Sequence, residues 1–513
     1  MRYVYGILLL CSVVFWSSCR KDFDTTSSSG KLIFSKDTVY LDTVFTNIGS
    51  STYNLTVHNK SDDDIRIPNI QLTNGESSNY RLNVDGLPGK DFQNIDILAN
   101  DSIFIFIETT ADIENLSQTE NQFLYTDAIE FDTGSQQQKV ELVTLIQDAH
   151  FLYPEKFADG TTETLSFGLD DEGNEILIEG FILDDTELNF TNDKPYVIYG
   201  YAAVPSNKTL TINAGARVHF HRESGLIVAQ NGSLHVNGAL SNDLEALENE
   251  VIFEGDRLEP AFSEVAGQWG AIWLTQGSTN NQINFATIKN ASVGIRMDSN
   301  DGTNQPTLKI KNTKIYNSSN VGLLARTSFI EGENLVINNS GQASLNLSYG
   351  GRYTFTNSTF VNYFSNGFRQ FPAVLIENLL ETQESILVSD LIEANFYNCI
   401  IYGNENLELL FSKSEEAAFN YKFENCLIRF NDFNNLYAEI PEYDFSNPSL
   451  FENTIINENP VFKSTGENLL QIGEESAANG LANPSTATPQ DIIGTARSNN
   501  PDSGAYESII FEE

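Results

Sequence analysis

Apolar and polar residues alternate along most of this chain, in short lengths separated by turn-forming residues. Leu32-Ile33-Phe34, Val39-Tyr40-Leu41, Tyr53-Asn54-Leu55-Thr56-Val57, Ile65-Arg66-Ile67, Ile103 to Ile107, Ala128-Ile129-Glu130-Phe131 and Val140 to Ile146 are such lengths in the first third. A period of two places successive side chains on opposite faces, which is the geometry of a strand. About seven short strands with turn signals between them predict a β-sandwich over residues 31–148. Further on the alternation becomes a repeat. Ile310-Lys311-Asn312-Thr313-Lys314-Ile315 is followed by Gly332-Glu333-Asn334-Leu335-Val336-Ile337 and Phe355-Thr356-Asn357-Ser358-Thr359-Phe360. Phe396 to Ile401, Phe423 to Ile428 and Phe451 to Ile456 complete six copies, with Asn398, Asn425 and Asn453 third in each. An apolar residue opens five of the six, and the Asn positions lie 22, 23, 41, 27 and 28 residues apart. One strand phrase per period of that length predicts a β-solenoid.

The repeat predicts a shape. Each copy pairs with the copies above and below at about 4.8 Å. About 275 residues at about 24 per coil give roughly 11 coils and a rod roughly 50 Å long. The third-position Asn is expected to turn the strand, its amide bonding the backbone and stacking on the next Asn as a structural ladder. Cys399 and Cys426 fall beside that ladder in consecutive copies. Adjacent strands are close enough for a disulfide, but stacked side chains run parallel; the favoured reading is two small buried hydrophobes. The spacing of 41 means either a coil lacking its phrase or a protruding loop of about 15–20 residues. That stretch holds Tyr363, Phe364, Phe368, Arg369 and Phe371, an aromatic set suited to a protein partner or a glycan.

Composition narrows the function. The formal net charge of -41 repels nucleic-acid phosphates and anionic lipids, so no nucleic acid is expected as a partner. His219 and His221 share a strand face with Arg217 but have no Cys or acidic partner at ligand spacing. No HExxH, nucleophile elbow, P-loop or dinucleotide fingerprint is present, so no catalytic, metal or cofactor-binding residue is assigned. Lys289, Lys309, Lys311, Lys314, Arg326 and Arg352 could furnish a basic patch, yet nothing separates them from a solvated face.

Three resemblances add to this reading. Arg2, the apolar run Ile7 to Trp16 and Ser17-Ser18-Cys19 resemble a bacterial lipoprotein signal, with Trp16 in place of the usual Leu. That implies lipidation at Cys19, and the following Arg20-Lys21-Asp22-Phe23-Asp24 resembles an export tag for the outer face of the outer membrane. Residues 20–30 then read as a flexible tether. Residues 31–148 resemble immunoglobulin-like modules of bacterial surface proteins, without the Cys and Trp pattern of antibody domains. Asp37-Thr38-Val39, Asp42-Thr43-Val44 and Asp101-Ser102-Ile103 resemble bacterial O-glycosylation acceptors.

Residues 149–190 are read as a connector and N-terminal cap. Residues 191–510 resemble the right-handed parallel β-helix of pectate-lyase-like repeat proteins, through Leu210-Thr211-Ile212 with Gly215, Gly232-Ser233-Leu234, Gly267 to Leu274, and a closing Gly504-Ala505-Tyr506-Glu507. The expected fold is therefore all-β, an immunoglobulin-like sandwich followed by a right-handed parallel β-helix. The expected function is a surface-exposed outer-membrane lipoprotein serving as a non-catalytic interaction scaffold, with a protein partner at the cell envelope. The resemblance leaves two alternatives, a lyase-like or glycan-binding protein and an adhesin. Ca²⁺ is admitted by the lyase resemblance alone, and no residue spacing supports it.

Overall fold

The computed structural model describes residues 25–117, 120–169, 173–382 and 385–511. The signal-like segment, with Cys19, lies outside them. The chain forms two compact units, Met1–Asp148 and Ala149–Glu513.

The first unit is a β-sandwich of a six-stranded and a five-stranded sheet. Alternation dictates its faces. In Ser102–Thr109, Ile103, Ile105 and Ile107 are buried while Phe104 and Phe106 stay exposed. In Gln138–Gln147, Val140, Leu142 and Ile146 are buried and meet Leu55, Val57 and Tyr80 of the other sheet in one core. The Tyr80 hydroxyl donates to Thr144 at 3.0 Å, which satisfies its polar end inside that core. The expected tether is corrected over its described part, from residue 25 onward. Thr26–Ser27 pair in parallel with Ile65 and Arg66, the Ser28 hydroxyl donates to Asp132 at 2.7 Å, and Leu32 is buried. Small polar residues suit an extended edge strand as well as a linker, and here unpaired backbone on Ile65–Leu72 recruits them.

The second unit is a parallel β-helix with three sheets along its sides. Sheet one runs through Tyr196–Ile198, Arg217–Phe220, Val251–Gly255, Val336–Ser340, Thr359–Asn362, Ile400–Gly403 and Ile455–Ile456, among others. Sheet two includes Tyr201–Val204, Gly225–Val228, Trp269–Leu274, Val374–Glu377 and Leu409–Ser412. Sheet three includes Thr209–Asn213, Ser233–Asn237, Leu391–Tyr397, Phe419–Glu424 and Phe451–Glu452. Alternate residues of each strand point into a continuous apolar core, as Leu210 and Ile212, Val218 and Phe220, and Leu226 and Val228 do. In sheet three the inward column ends in Phe355, Phe396, Phe423 and Phe451, with successive ring centroids 5.4, 4.7 and 5.4 Å apart.

The boundaries differ from the sequence reading at both ends. The helix begins at His150–Leu152, which pair with Tyr196–Ile198, so the connector already supplies a strand of the first coil. The last sheet-one strand is Ile455–Ile456. The chain does not stack further beyond it. It runs back along the outside of sheet one, where Leu470, Ile472, Ala478, Ile492 and Ala505 cover Val336, Val361, Ile400 and Leu427. The long spacing contains no missing coil, because Phe355 pairs directly with Phe396. The offset between paired residues grows from 23 at Val336↔Thr359 to 29 at Leu345↔Val374 and 41 at Arg352↔Glu393. The extra length is thus two insertions, six residues in the loop before Val374 and twelve around the hairpin of Leu379–Glu381 and Ile386–Val388.

Candidate functional site

The six repeated Asn residues sit at the corner between sheets three and one, all in the left-handed region with φ between 46° and 56°. Asn is the non-glycine residue that tolerates this conformation best, which explains its recurrence. The turn lets both ends of each phrase face the core: Phe355 and Phe360 are fully buried and meet edge to face at 5.2 Å. In five copies the residue after Asn caps the carbonyl two residues back. Thr313, Ser358 and Thr454 donate hydroxyls, and Cys399 and Cys426 thiols, to Lys311, Thr356, Glu452, Tyr397 and Glu424. The two cysteines are therefore buried, free equivalents of Ser and Thr.

The expected amide ladder holds for part of its length, Asn312 Nδ2 also donating to Asn284 Oδ1 at 3.0 Å, and the rest of it is a docking rail. Asn334 Nδ2 donates to Asn312 Oδ1 at 3.0 Å and Asn398 Nδ2 to Asn357 Oδ1 at 3.5 Å. Elsewhere the returning C-terminal segment takes the amides. The Thr488 N–H donates to Asn357 Oδ1, the Asn483 N–H to Asn398 Oδ1, and Asn425 Nδ2 to the Leu481 carbonyl. Arg497, also buried, donates to Asn334 Oδ1 at 3.2 Å and to Glu507 at 2.8 Å. Asn453, on the last copy, is exposed.

The loop singled out by sequence divides in two. Phe368 is 87% exposed and Phe371 39%, while Phe364 is half-buried. Tyr363 packs against the returning C-terminal segment, its ring 6.2 Å from Phe462, and Arg369 turns wholly inward, so neither stands free on an outer face. The Arg369 guanidinium forms a two-pronged pair with Glu408 at 2.8 and 2.6 Å. It also donates to the carbonyls of Phe371 and Asn362 and to Asn404 Oδ1. The Ala373 and Glu405 N–H groups complete the Glu408 carboxylate at 2.7 and 2.8 Å. Gly403 is required beside it, since a Cβ there would lie 2.0 Å from Glu408 Oε1. Burial raises the Glu408 carboxyl above its ordinary range, opposed by Arg369 and these N–H groups. Sequence reasoning missed Glu408: it lies 39 residues from Arg369, and nothing local marks it.

A second surface lies on the outside of sheet two. A concavity of about 1160 Å³ is lined by Tyr199, Tyr201, His221, Trp273 and Arg296, among others. Trp273 stacks on Phe167 at 4.6 Å, carries the Arg296 guanidinium over its ring at 4.1 Å, and donates to Asp298. His221 lies under the Tyr199 ring and pairs with Asp256 at 2.7 Å, which raises its pKa. His219 is buried rather than on an exposed face, 3.7 Å from Glu254, and burial lowers its pKa. No group of three His, Cys, Asp or Glu among the described residues could hold a metal ion.

Four of the six basic residues are held in close ion pairs. Lys289 pairs with Glu254, Lys311 with Glu333, Lys314 with Glu250 and Arg352 with Glu393, at 2.8 to 3.2 Å. Glu424 and Glu452, each second in its copy of the repeat, share the Lys422 ammonium.

No protein-family model and no curated protein matches this sequence. Among solved structures, the catalytic unit of a thermostable GH87 alpha-1,3-glucanase from Streptomyces thermodiastaticus strain HF3-3 aligns over 74% of this chain and 84% of that one, at 10% identity and TM-score 0.25. A family 123 glycoside hydrolase from Clostridium perfringens aligns at 8% identity and TM-score 0.16, covering 24% of this chain and 30% of that one. The ASH/PapD-like domain 7 of human CEP192 aligns at 11% identity and TM-score 0.16, covering 26% of this chain and 95% of that one. Likenesses this distant carry no functional argument, and the architecture rests on the chain's own strand pairing.

Proposed function

We propose that this chain is a surface-exposed outer-membrane lipoprotein, anchored through Cys19, that works as a non-catalytic scaffold for a protein partner at the cell envelope. The observation that carries the reading is the loop around Phe368. An aromatic ring exposed to 87% stands beside Arg369, which five contacts lock in place. A large apolar group held out by a buried pin forgoes the ordering entropy that a mobile loop would lose on binding. The pairing of most candidate cations with carboxylates supports the non-catalytic part, since a uronate would have to displace a bound anion.

The test is purification of the tagged full chain from solubilised outer membranes. Recovery in constant ratio with an envelope protein is expected, and recovery alone counts against the scaffold. The Cys19→Ala chain should lose fatty-acid labelling and partition with the soluble fraction; unchanged membrane association would remove the anchor from the proposal.

A glycan-binding reading has one observation in its favour, the aromatic-lined concavity of sheet two. The Trp273 ring there already carries Phe167 and Arg296, which leaves less of its surface for a sugar. Incubation with uronate-containing polysaccharides, followed by absorbance from new double bonds, tests lyase activity. Calorimetric titration with neutral and acidic oligosaccharides tests binding.

A further inference from the structure

The loop bearing Phe368 belongs to a stack at the corner between sheets one and two. The next coil turns there through residues 404–408, and the last through 429–440. Hydrogen bonds tie the three together. Asn404 accepts from Arg369 at 2.6 Å, Arg429 donates to the Glu405 carbonyl at 2.7 Å, and the Asn431 N–H donates to the Asn406 carbonyl at 2.7 Å. The third turn is braced from within: Asp432 caps the N–H groups of Leu436 and Tyr437, while Phe430, Tyr437 and Tyr443 close over the end of the core. Yet Phe433 is 75% exposed, Leu436 70% and Ile440 38%, on the same corner as Phe368 at 87%. Large apolar groups are held outward on the braced loops of the first and third of these coils, with Asn404, Glu405 and Asn406 between them, an exposed surface of the kind that marks a contact site.

We infer that this corner is the docking surface for a partner protein whose own apolar patch is rimmed by Lys and Arg. The inference rests on the scaffold reading and specifies its contact. Charge decides the occupant. Glu405 and Glu439 stand among the apolar residues, and the chain as a whole carries -41. A second copy would bring the same acidic rim and net charge against it, and an anionic lipid surface would be repelled in the same way. A basic rim around an aliphatic or aromatic centre is complementary on both counts, steering the encounter while the apolar groups supply the binding energy.

The experiment uses the full chain in its own membrane, with Phe368→p-benzoylphenylalanine as a photo-crosslinker and mass spectrometry of the adduct. One discrete protein adduct is expected, joined at an apolar segment flanked by Lys or Arg. An adduct to a second copy, to lipid or to glycan, or no adduct, overturns the inference. In parallel, Phe368→Ser combined with Leu436→Ser should lower the recovered partner about tenfold or more with an unchanged melting temperature, because both side chains lie outside the core. If the unaltered chain is recovered alone, the scaffold reading fails with it. If the double variant retains the partner undiminished, the corner assignment alone falls.

Discussion

At the residue scale, backbone conformation explains the repeat. An Asn at φ near +50° costs less than any other side chain except the absent one of glycine, and its amide can satisfy a neighbouring chain. Asn357 does both: its Oδ1 accepts from the Thr488 N–H at 2.9 Å and its Nδ2 reaches the Asp502 and Gly504 carbonyls. Asn357→Ala should therefore lower stability by about 2–4 kcal/mol, and Asn357→Gly by about half of that, since glycine restores the backbone but not the bonds. Asn453→Ala, at an exposed turn, should cost about 1 kcal/mol. Urea midpoints rank the three, and equal losses at Asn357 and Asn453 would remove the docking role. Glu377 gives a pH test. Burial, aided by Glu381, pushes its carboxyl up to about 7, against Ser348 and Arg326. Its folded value lies above the unfolded value of about 4.3, so the native state holds the extra proton. Its contribution is greatest below the unfolded value and falls as pH rises through about 7. Glu377→Gln should be nearly neutral at pH 5 and stabilising by about 1–2 kcal/mol at pH 8, read as the difference in melting temperature. The same difference at both pH values would contradict the assignment.

At the element scale, the helix treats inserted chain in two ways. The hairpin of Leu379–Glu381 and Ile386–Val388 satisfies its own backbone and leaves the sheets in register. The loop at 363–373 has no strands of its own, and the Arg369–Glu408 pair does that work from within. Arg369→Met should cost about 3–5 kcal/mol, because it strands a buried carboxylate. Adding Glu408→Gln should recover part of the loss, a coupling that denaturation of the two single variants and the double reads directly. Additive losses would mean the pair does not act as a unit. Sheet one would otherwise show an apolar outer face, and the C-terminal segment covers it with apolar side chains while bonding the Asn corner.

At the scale of the whole molecule, charge is the dominant global feature. A net charge of -41 on 513 residues repels itself, and added salt screens that repulsion. The melting temperature should rise by a few degrees between about 20 and 300 mM NaCl, where the screening length shrinks from about 20 to about 6 Å. A constant or falling value would mean that local ion pairs, such as Lys314–Glu250, outweigh the global term.

The sequence determined what each coil repeats. The Phe column of sheet three, the left-handed Asn and the inward Ile or Phe at the sixth position all follow from patterns six residues long, because each strand pairs with the next copy of itself. It also marked the stretch around Phe368 as the place where the repeat fails. Only the tertiary structure decided which residues of that stretch face outward. Arg369 is buried because Glu408 arrives from the next coil, 39 residues away. The Asn corner became a docking rail because a segment up to 163 residues distant in sequence returns to it. Local stereochemistry is written in adjacent residues. The partner of a buried charge, and the path of a strand that leaves the repeat, depend on how the chain closes on itself in space, which no short pattern encodes.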